Sequence, residues 1–152
     1  MALRVLWKRL NSKAVIPSKA SPGAACFDLV ACLPEGQSIL IEHGRVSCVP
    51  TGLAVEIPQG FELQVRARSG LALKQGVALV NGIGTIDSDY RGEVQVILTR
   101  LVPGSFEIKS GDRIAQALVS PVLDVVHKEV EELSQTDRGV GGFGSTGVGV
   151  KL

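Results

Sequence analysis

The segment Phe61-Glu-Leu-Gln-Val-Arg-Ala-Arg68 decides the fold class, because apolar and polar residues alternate along it without interruption. Successive side chains of an extended strand point to opposite faces, so the odd-numbered positions form an apolar face and the even-numbered positions a polar one. The pattern predicts a half-buried β-strand. Six further segments are predicted as strands between Pro-Gly, Gly-Asp or Gly-rich turns: residues 3–10, 38–48, 53–57, 93–99, 105–108 and 114–121.

Only one segment favours a helix. Residues Ser69–Gln75 would form about two turns, with Ser69 as the expected N-cap and Gly76 at the C-terminal end. Together these patterns predict an all-β protein, a barrel or a sandwich, with one short helix.

Length and charge limit the classes of function. The 152 residues are enough for one domain, and the net charge of +1 provides no general attraction to nucleic acid or to a membrane. Arg4, Lys8 and Arg9 interrupt the apolar residues near the start, which excludes a signal peptide or membrane span there and predicts a cytoplasmic location. The three cysteines form no Cys-x-x-Cys pair and are expected to be small apolar fillers.

Residues 136–152 contain six glycines and cannot build a core. Glycine lets main-chain N–H groups approach a ligand closely, and Arg138 could supply a forked cation to a phosphate. Ser145 and Thr146 offer hydroxyl donors, and Phe143 offers a flat face for a base. The segment therefore favours a closing arm, and its composition alone also fits a disordered terminus.

The segment 81–92 is the strongest catalytic candidate, since it carries polar groups between two apolar runs, as a β-hairpin would. The Asp87 carboxylate could deprotonate a water, the Asn81 amide could pair with the edge of a base, and Tyr90 could pack against a sugar. The alternative is that Asp87 and Asp89 are turn residues and Tyr90 is part of the core.

Two further elements suggest an anion site. Arg68, Ser69 and Gly70 lie where a strand is predicted to lead into the helix, so a guanidinium, a hydroxyl and free N–H groups converge; the alternative is a solvated arginine before an ordinary N-cap. Gln116 shares a predicted strand face with apolar residues, and its amide must find a partner in a neighbour, a subunit or a ligand.

The ordered motifs of the chain resemble those of the trimeric dUTPase family, and the resemblance covers essentially the whole sequence. The matching segments are Ala-Ala-Cys-Phe-Asp-Leu at 24–29, Arg-Ser-Gly-Leu-Ala at 68–72 on through Lys74, residues 81–93, Gly-Asp-Arg-Ile-Ala-Gln at 111–116 and residues 138–147. The resemblance implies a jelly-roll-like β-barrel of the dUTPase type over residues 1–135, and a flexible glycine-rich arm at 136–152 that closes over the active site.

The resemblance also implies an activity, a metal and an assembly. A homotrimer would hydrolyse dUTP to dUMP and pyrophosphate, with Mg²⁺ on the triphosphate and each site shared between subunits. Such an enzyme limits uracil incorporation into DNA and supplies dUMP for thymidylate synthesis.

Residue roles carry over at the matching positions. Asp87 would activate the water that attacks the α-phosphorus, and Asp28 would contact Mg²⁺ through a metal-bound water. Asn81 and the backbone near Gly84 and Gln95 would read uracil, with Tyr90 against the deoxyribose. The implied phosphate and arm contacts are Arg68, Ser69, Gly70, Gln116, Arg138, Phe143, Gly144, Ser145 and Thr146.

The sequence departs from the family pattern at Cys26, where glycine is usual, and at Ala67, where proline is frequent. Arg113 lies in a family motif, and we expect it to form a structural ion pair. Three alternatives stay open at this stage: a dCTP deaminase-like enzyme, a nucleotide-binding regulatory trimer without turnover, and a purely structural β-trimer. The glycine-rich arm and residues 81–90 favour dUTP over dCTP, pyrophosphate release from dUTP would exclude the regulatory trimer, and a structural trimer would leave Arg68, Ser69 and Gly70 unexplained.

Overall fold

The computed structural model describes residues 3–143. They form ten β-strands and one helix, in agreement with the predicted all-β class. The strands are β1 Leu6–Arg9, β2 Phe27–Val30, β3 Ser38–Glu42, β4 Ser47–Glu56, β5 Phe61–Arg66, β6 Val77–Leu79, β7 Gly84–Ile86, β8 Glu93–Arg100, β9 Ser105–Lys109 and β10 Arg113–Pro121, and helix α1 is Ser69–Gln75.

Two antiparallel four-stranded sheets make up most of the fold. One has the strand order β1-β4-β8-β6 and the other β2-β10-β5-β7, while β3 and β9 form a separate two-stranded sheet. All three sheets contribute fully buried residues to a single large hydrophobic core, among them Val96 on β8, Leu63 on β5 and Ile108 on β9. This is the architecture of a jelly-roll-like β fold.

The alternating segment that begins at Phe61 forms strand β5, as the sequence predicts. Leu63 and Val65 are buried, Arg66 is exposed, and the strand pairs with both β7 and β10. Helix α1 has the predicted bounds, and Gly76 ends it in the left-handed conformation with φ 63°. Glycine adopts this conformation without the steric penalty that a Cβ would bring.

The structure corrects the predicted strand over residues 38–48. The chain turns after β3, where Gly44 has φ 71° and its N–H bonds to the carbonyl of Arg100. The predicted strand at 53–57 is the second half of the longer strand β4. A β-bulge near Gly52 separates the two halves of β4, and the glycine breaks the alternation on which the prediction relied.

Candidate active site

A cavity of about 260 Å³ is lined by residues of both four-stranded sheets. Strand β7 contributes to one wall and β8 to the other, and the connection between them contributes the polar groups. The lining residues are Cys48, Val65, Leu79, Asn81, Gly84, Thr85, Ile86, Asp87, Tyr90, Glu93, Val94, Gln95, Val96 and Ile97.

The path of residues 80–92 explains why a cavity forms here. The sequence suggested a hairpin, but β7 pairs with β5, whereas β8 pairs with β4 and β6. The chain therefore leaves one sheet, adds a short strand to the other, and returns. Because β7 and β8 do not pair with each other, the space between them stays open.

Gly84 lets the Asn81 amide approach the backbone of β7. A Cβ atom built at Gly84 would lie 3.3 Å from Asn81 Nδ2 and 3.2 Å from the Cβ of Val65, both tighter than ordinary contacts. A larger residue would require Asn81 or Val65 to shift by a few tenths of an ångström, so the glycine allows this close approach.

Asp87 is exposed and lines the cavity, so its carboxylate is open to solvent. Its backbone carbonyl accepts a hydrogen bond from the N–H of Tyr90 at 3.2 Å, which closes a tight turn. The turn thus carries Asp87 at the lining of the cavity. Asp87 can therefore hold a water beside a bound ligand.

Tyr90 is 46% exposed, so the alternative that it belongs to the core is wrong. Its hydroxyl donates a hydrogen bond to the Glu93 carbonyl at 3.1 Å. Its ring lies directly against Gly92, where any Cβ would overlap with it. The ring is therefore held at the cavity by a hydrogen bond at one end and a glycine beneath it.

Gln95 also lines the cavity, together with two residues that the sequence analysis did not select. The Cys48 thiol donates to Gln95 Oε1 at 3.3 Å, and Gln95 Nε2 donates to Glu93 Oε2 at 3.5 Å. Cys48 is exposed, which corrects the expectation that all cysteines are apolar fillers, whereas Cys32 is buried as expected. The pairing of Cys48 with Ile97 across β4 and β8 has no local sequence signal.

A second polar cluster lies on the sheet that contains β2, β10 and β5. Asp28 binds Arg68 Nε at 3.0 Å and Arg113 Nη1 at 3.1 Å, which confirms the predicted ion pair of Arg113. Gln116 lies opposite Asp28 in the β-ladder and donates to the Ala67 carbonyl at 2.9 Å. The partner expected for this amide is therefore a main-chain neighbour.

Ser69 and Gly70 begin helix α1 beside this cluster, and both are exposed. The N-cap is Arg68 and not Ser69, and no side-chain cap hydrogen bond forms. The Arg68 side chain instead reaches across to Asp28 and to the Arg113 carbonyl, at 2.9 Å for the latter. The first-turn N–H groups of α1 are consequently not capped by a side chain.

The cavity and the second cluster do not share residues. None of Asp28, Arg68, Ser69, Gly70 and Gln116 lines the cavity that contains Asp87. Within residues 3–143 of one chain, the predicted nucleoside and phosphate residues therefore occupy two separate places.

The described part of the predicted arm, residues 136–143, lies apart from the cavity and from the second polar cluster. Residues 122–140 are exposed, and Arg138 Nε donates locally to the Gly141 carbonyl at 2.8 Å. Phe143 is fully exposed, and no arm residue up to this point lines the cavity. The predicted contacts Gly144, Ser145 and Thr146 lie outside the described residues.

Among residues 3–143, no three His, Cys, Asp or Glu side chains cluster closely enough to hold a metal ion. Mg²⁺ keeps several waters and often binds substrate phosphates with few protein ligands, so the absence of a carboxylate cage is compatible with it. In the same part of the chain, no helix is long and apolar enough to span a membrane.

The fold and the cavity define a small antiparallel β protein with an open carboxylate between two sheets. A family model described as dUTPase matches residues 12–147. The chain is 53% identical over 140 residues to the deoxyuridine 5'-triphosphate nucleotidohydrolase of Syntrophotalea carbinolica, covering 92% of this chain and 94% of the relative. The chain therefore belongs to the dUTPase family, and the resemblance seen in its motifs is confirmed.

Solved structures are similar over nearly the full length. The dUTPase of Staphylococcus bacteriophage 80alpha, in a mutant structure with dUpNHpp, has a TM-score of 0.85 and 25% identity, covering 95% of this chain and 99% of that one. A second similar structure is a mutant dUTPase of phage phi11 of S. aureus, which reveals the coordination of a structural Mg(II) ion. Its TM-score is 0.75 and its identity 21%, covering 85% of this chain and 97% of that one. These similarities agree with the jelly-roll-like fold.

Proposed function

We propose that this protein hydrolyses dUTP to dUMP and pyrophosphate. The observation that carries the proposal is the cavity, which places the exposed Asp87 carboxylate beside Asn81, Gly84, Tyr90 and Gln95. These groups suit a carboxylate-assisted attack of water on a bound nucleotide.

Asp87 orients the attacking water and accepts its proton. The water oxygen forms a bond to the α-phosphorus while the bond from that phosphorus to the bridging oxygen breaks, and pyrophosphate leaves with the bonding electrons. Such a reaction depends mainly on the position of the water and on the charges near the phosphates. The open position of Asp87 at the cavity supports this role.

Asn81 and the backbone near Gly84 and Gln95 bind the uracil edge, and the Tyr90 ring packs on the deoxyribose. The hydrogen bond of the Tyr90 hydroxyl to the Glu93 carbonyl and the contact of the ring with Gly92 support a defined ring position. A ring fixed in this way excludes a 2′-hydroxyl by steric conflict, which would account for selection against UTP.

The triphosphate requires cations, and neither Lys nor Arg is among the described residues that line the cavity of one chain. Arg68, Ser69, Gly70 and Gln116 form the proposed phosphate site, and the arm residues Arg138, Phe143, Gly144, Ser145 and Thr146 close over the nucleotide. Because the two polar clusters of one chain are separate, we infer a homotrimer in which each site combines residues of several subunits. Residues 1–135 would form the barrel and 136–152 the arm.

Mg²⁺, when bound, neutralises charge on the triphosphate and the leaving pyrophosphate. Asp28 would help to hold the Mg²⁺ through a water. Its two oxygens already accept bonds from Arg68 and Arg113, and each carboxylate oxygen can accept a second one. This arrangement supports indirect contact through water.

The proposed activity would limit uracil incorporation into DNA and supply dUMP for thymidylate synthesis, in the cytoplasm. The decisive experiment is a panel of dUTP, dTTP, dCTP and UTP with Mg²⁺, followed by measurement of pyrophosphate. We expect rapid release from dUTP alone. Ammonia release from dCTP would indicate a deaminase, and binding of dUTP without pyrophosphate release would indicate a regulatory protein.

A further inference from the structure

A bulge in β4 interrupts its pairing with β8 next to the cavity. The register between the two strands shifts between Pro50 and Ala54, and Gly52 adopts φ 67°. A Cβ at Gly52 would lie 2.9 Å from the Cys32 sulfur, so the bulge is packed tightly on its inner side. At such a bulge the regular ladder hydrogen bonds are lost.

Two side chains bridge the interruption. The buried Thr51 hydroxyl donates to the Val94 carbonyl at 2.6 Å, on the core side. Glu93 Oε1 accepts the N–H of Gly52 at 2.7 Å. A carboxylate bound to a backbone N–H forms a stronger hydrogen bond than a neutral acceptor does.

Glu93 also contacts two of the proposed nucleoside-binding residues. Its backbone carbonyl accepts the Tyr90 hydroxyl at 3.1 Å, and its second carboxylate oxygen accepts Gln95 Nε2 at 3.5 Å. One residue thus joins the bulge of β4, the proposed sugar-packing ring and the proposed base-reading position.

We propose that Glu93 is a positioning residue: by binding the Gly52 N–H it fixes the start of β8, and so holds Tyr90 and Gln95 where deoxyribose and uracil are selected. This inference rests on the proposed function for its kinetic consequences. Its structural consequence, a fixed Tyr90 ring, does not depend on the activity.

The test compares three variants of the full-length chain. Glu93→Ala removes the bond to Gly52, whereas Glu93→Gln keeps an oxygen acceptor in the same place. Thr51→Val is the control: it keeps the side-chain volume and removes the hydroxyl that bonds to the Val94 carbonyl and to the Leu53 N–H, while Thr51 itself does not line the cavity. Two measurements are made on each: the ratio of kcat/KM for dUTP and UTP, and the ¹⁹F NMR spectrum of protein labelled with 3-fluorotyrosine. Tyr90 is the only tyrosine in the sequence, so one resonance is expected.

We expect Glu93→Ala to lower selectivity for dUTP over UTP by about tenfold or more, chiefly through a higher KM for dUTP, and to shift or broaden the Tyr90 resonance. Glu93→Gln should have a selectivity and a Tyr90 resonance closer to those of the wild type. Thr51→Val should lower the melting temperature but leave the selectivity and the Tyr90 resonance unchanged. The proposal is overturned if Glu93→Ala keeps the wild-type ratio and resonance, or if Thr51→Val changes them equally. Lack of dUTP turnover in the wild type would instead refute the proposed function, and the NMR comparison would still decide the positioning role.

Discussion

At the scale of single residues, Asp87 carries the chemical proposal. We expect Asp87→Asn to keep the fold and nucleotide binding but to lose at least about 10²-fold in turnover, because the amide preserves size and removes the base. Pyrophosphate release measures turnover, and calorimetry with dUpNHpp measures binding. Asp89→Asn is the matched control, as Asp89 is exposed nearby but does not line the cavity.

If Asp87→Asn keeps near-normal turnover and Asp89→Asn loses turnover, the base is Asp89 and not Asp87.

Tyr90 tests the selection of the sugar. Tyr90→Ala should raise the activity on UTP relative to dUTP, since removal of the ring opens room for the 2′-hydroxyl. Tyr90→Phe retains the ring and loses only the hydrogen bond to the Glu93 carbonyl, so it should stay closer to the wild type. The check is kcat/KM for both nucleotides. An unchanged ratio in Tyr90→Ala would mean that another group excludes the ribose.

The sequence predicted Asn81, Gly84, Asp87 and Tyr90 through their place in an ordered motif, and Gln95 through the family resemblance; all five line one cavity. It did not predict Cys48 and Glu93 as part of the same site. Their contribution depends on the pairing of β4 with β8 across a bulge, and pairing of distant strands leaves no periodic signal within either strand.

At the scale of elements, the strongly alternating strands are predictable from the sequence, whereas three of the short strands are not. β2, β6 and β7 have only three or four residues each, too few for an alternation to stand out. The segment 38–48 was read as one strand because the turn at Gly44 interrupts a run that is otherwise compatible with a strand. The change of sheet between β7 and β8 is a tertiary feature, so the sequence suggested a simple hairpin.

The arm is the element whose removal is most informative. Deletion of residues 138–152 should leave a folded protein, because the last strand within residues 3–143 ends at Pro121 and residues 122–140 are exposed. Turnover should fall sharply as closure is lost. Phe143→Ala should reproduce part of the defect through loss of base stacking, worth about 1–3 kcal/mol. The measurements are thermal melting and pyrophosphate release.

Normal turnover of the truncated protein would contradict the arm as a lid. A second readout is a Phe143→Trp variant, whose emission should change on addition of dUpNHpp with Mg²⁺ and change less with dUMP. Trp7, the only natural tryptophan, packs edge-on against Phe27 near the core and provides a constant background.

At the scale of the whole molecule, the separation of the described part of the arm from the cavity leads to a complementation test. A mixture of Asp87→Asn subunits with subunits lacking residues 138–152 should regain activity after joint unfolding and refolding, if arm and base act from different subunits. Each variant refolded alone is the control. Activity no higher than the sum of the two controls would indicate that a single chain supplies both the arm and the base.

Helix α1 has a consequence for genetics. None of its residues is buried, although it begins with the proposed phosphate contacts Ser69 and Gly70. Substitutions at these two positions should therefore abolish catalysis without removing the subunit from the cell. If sites are shared, such a folded subunit would enter mixed assemblies and inactivate sites formed with normal partners. Mutations in α1 would then be dominant over a wild-type copy, whereas mutations in the buried strands, which lose the subunit altogether, would be recessive.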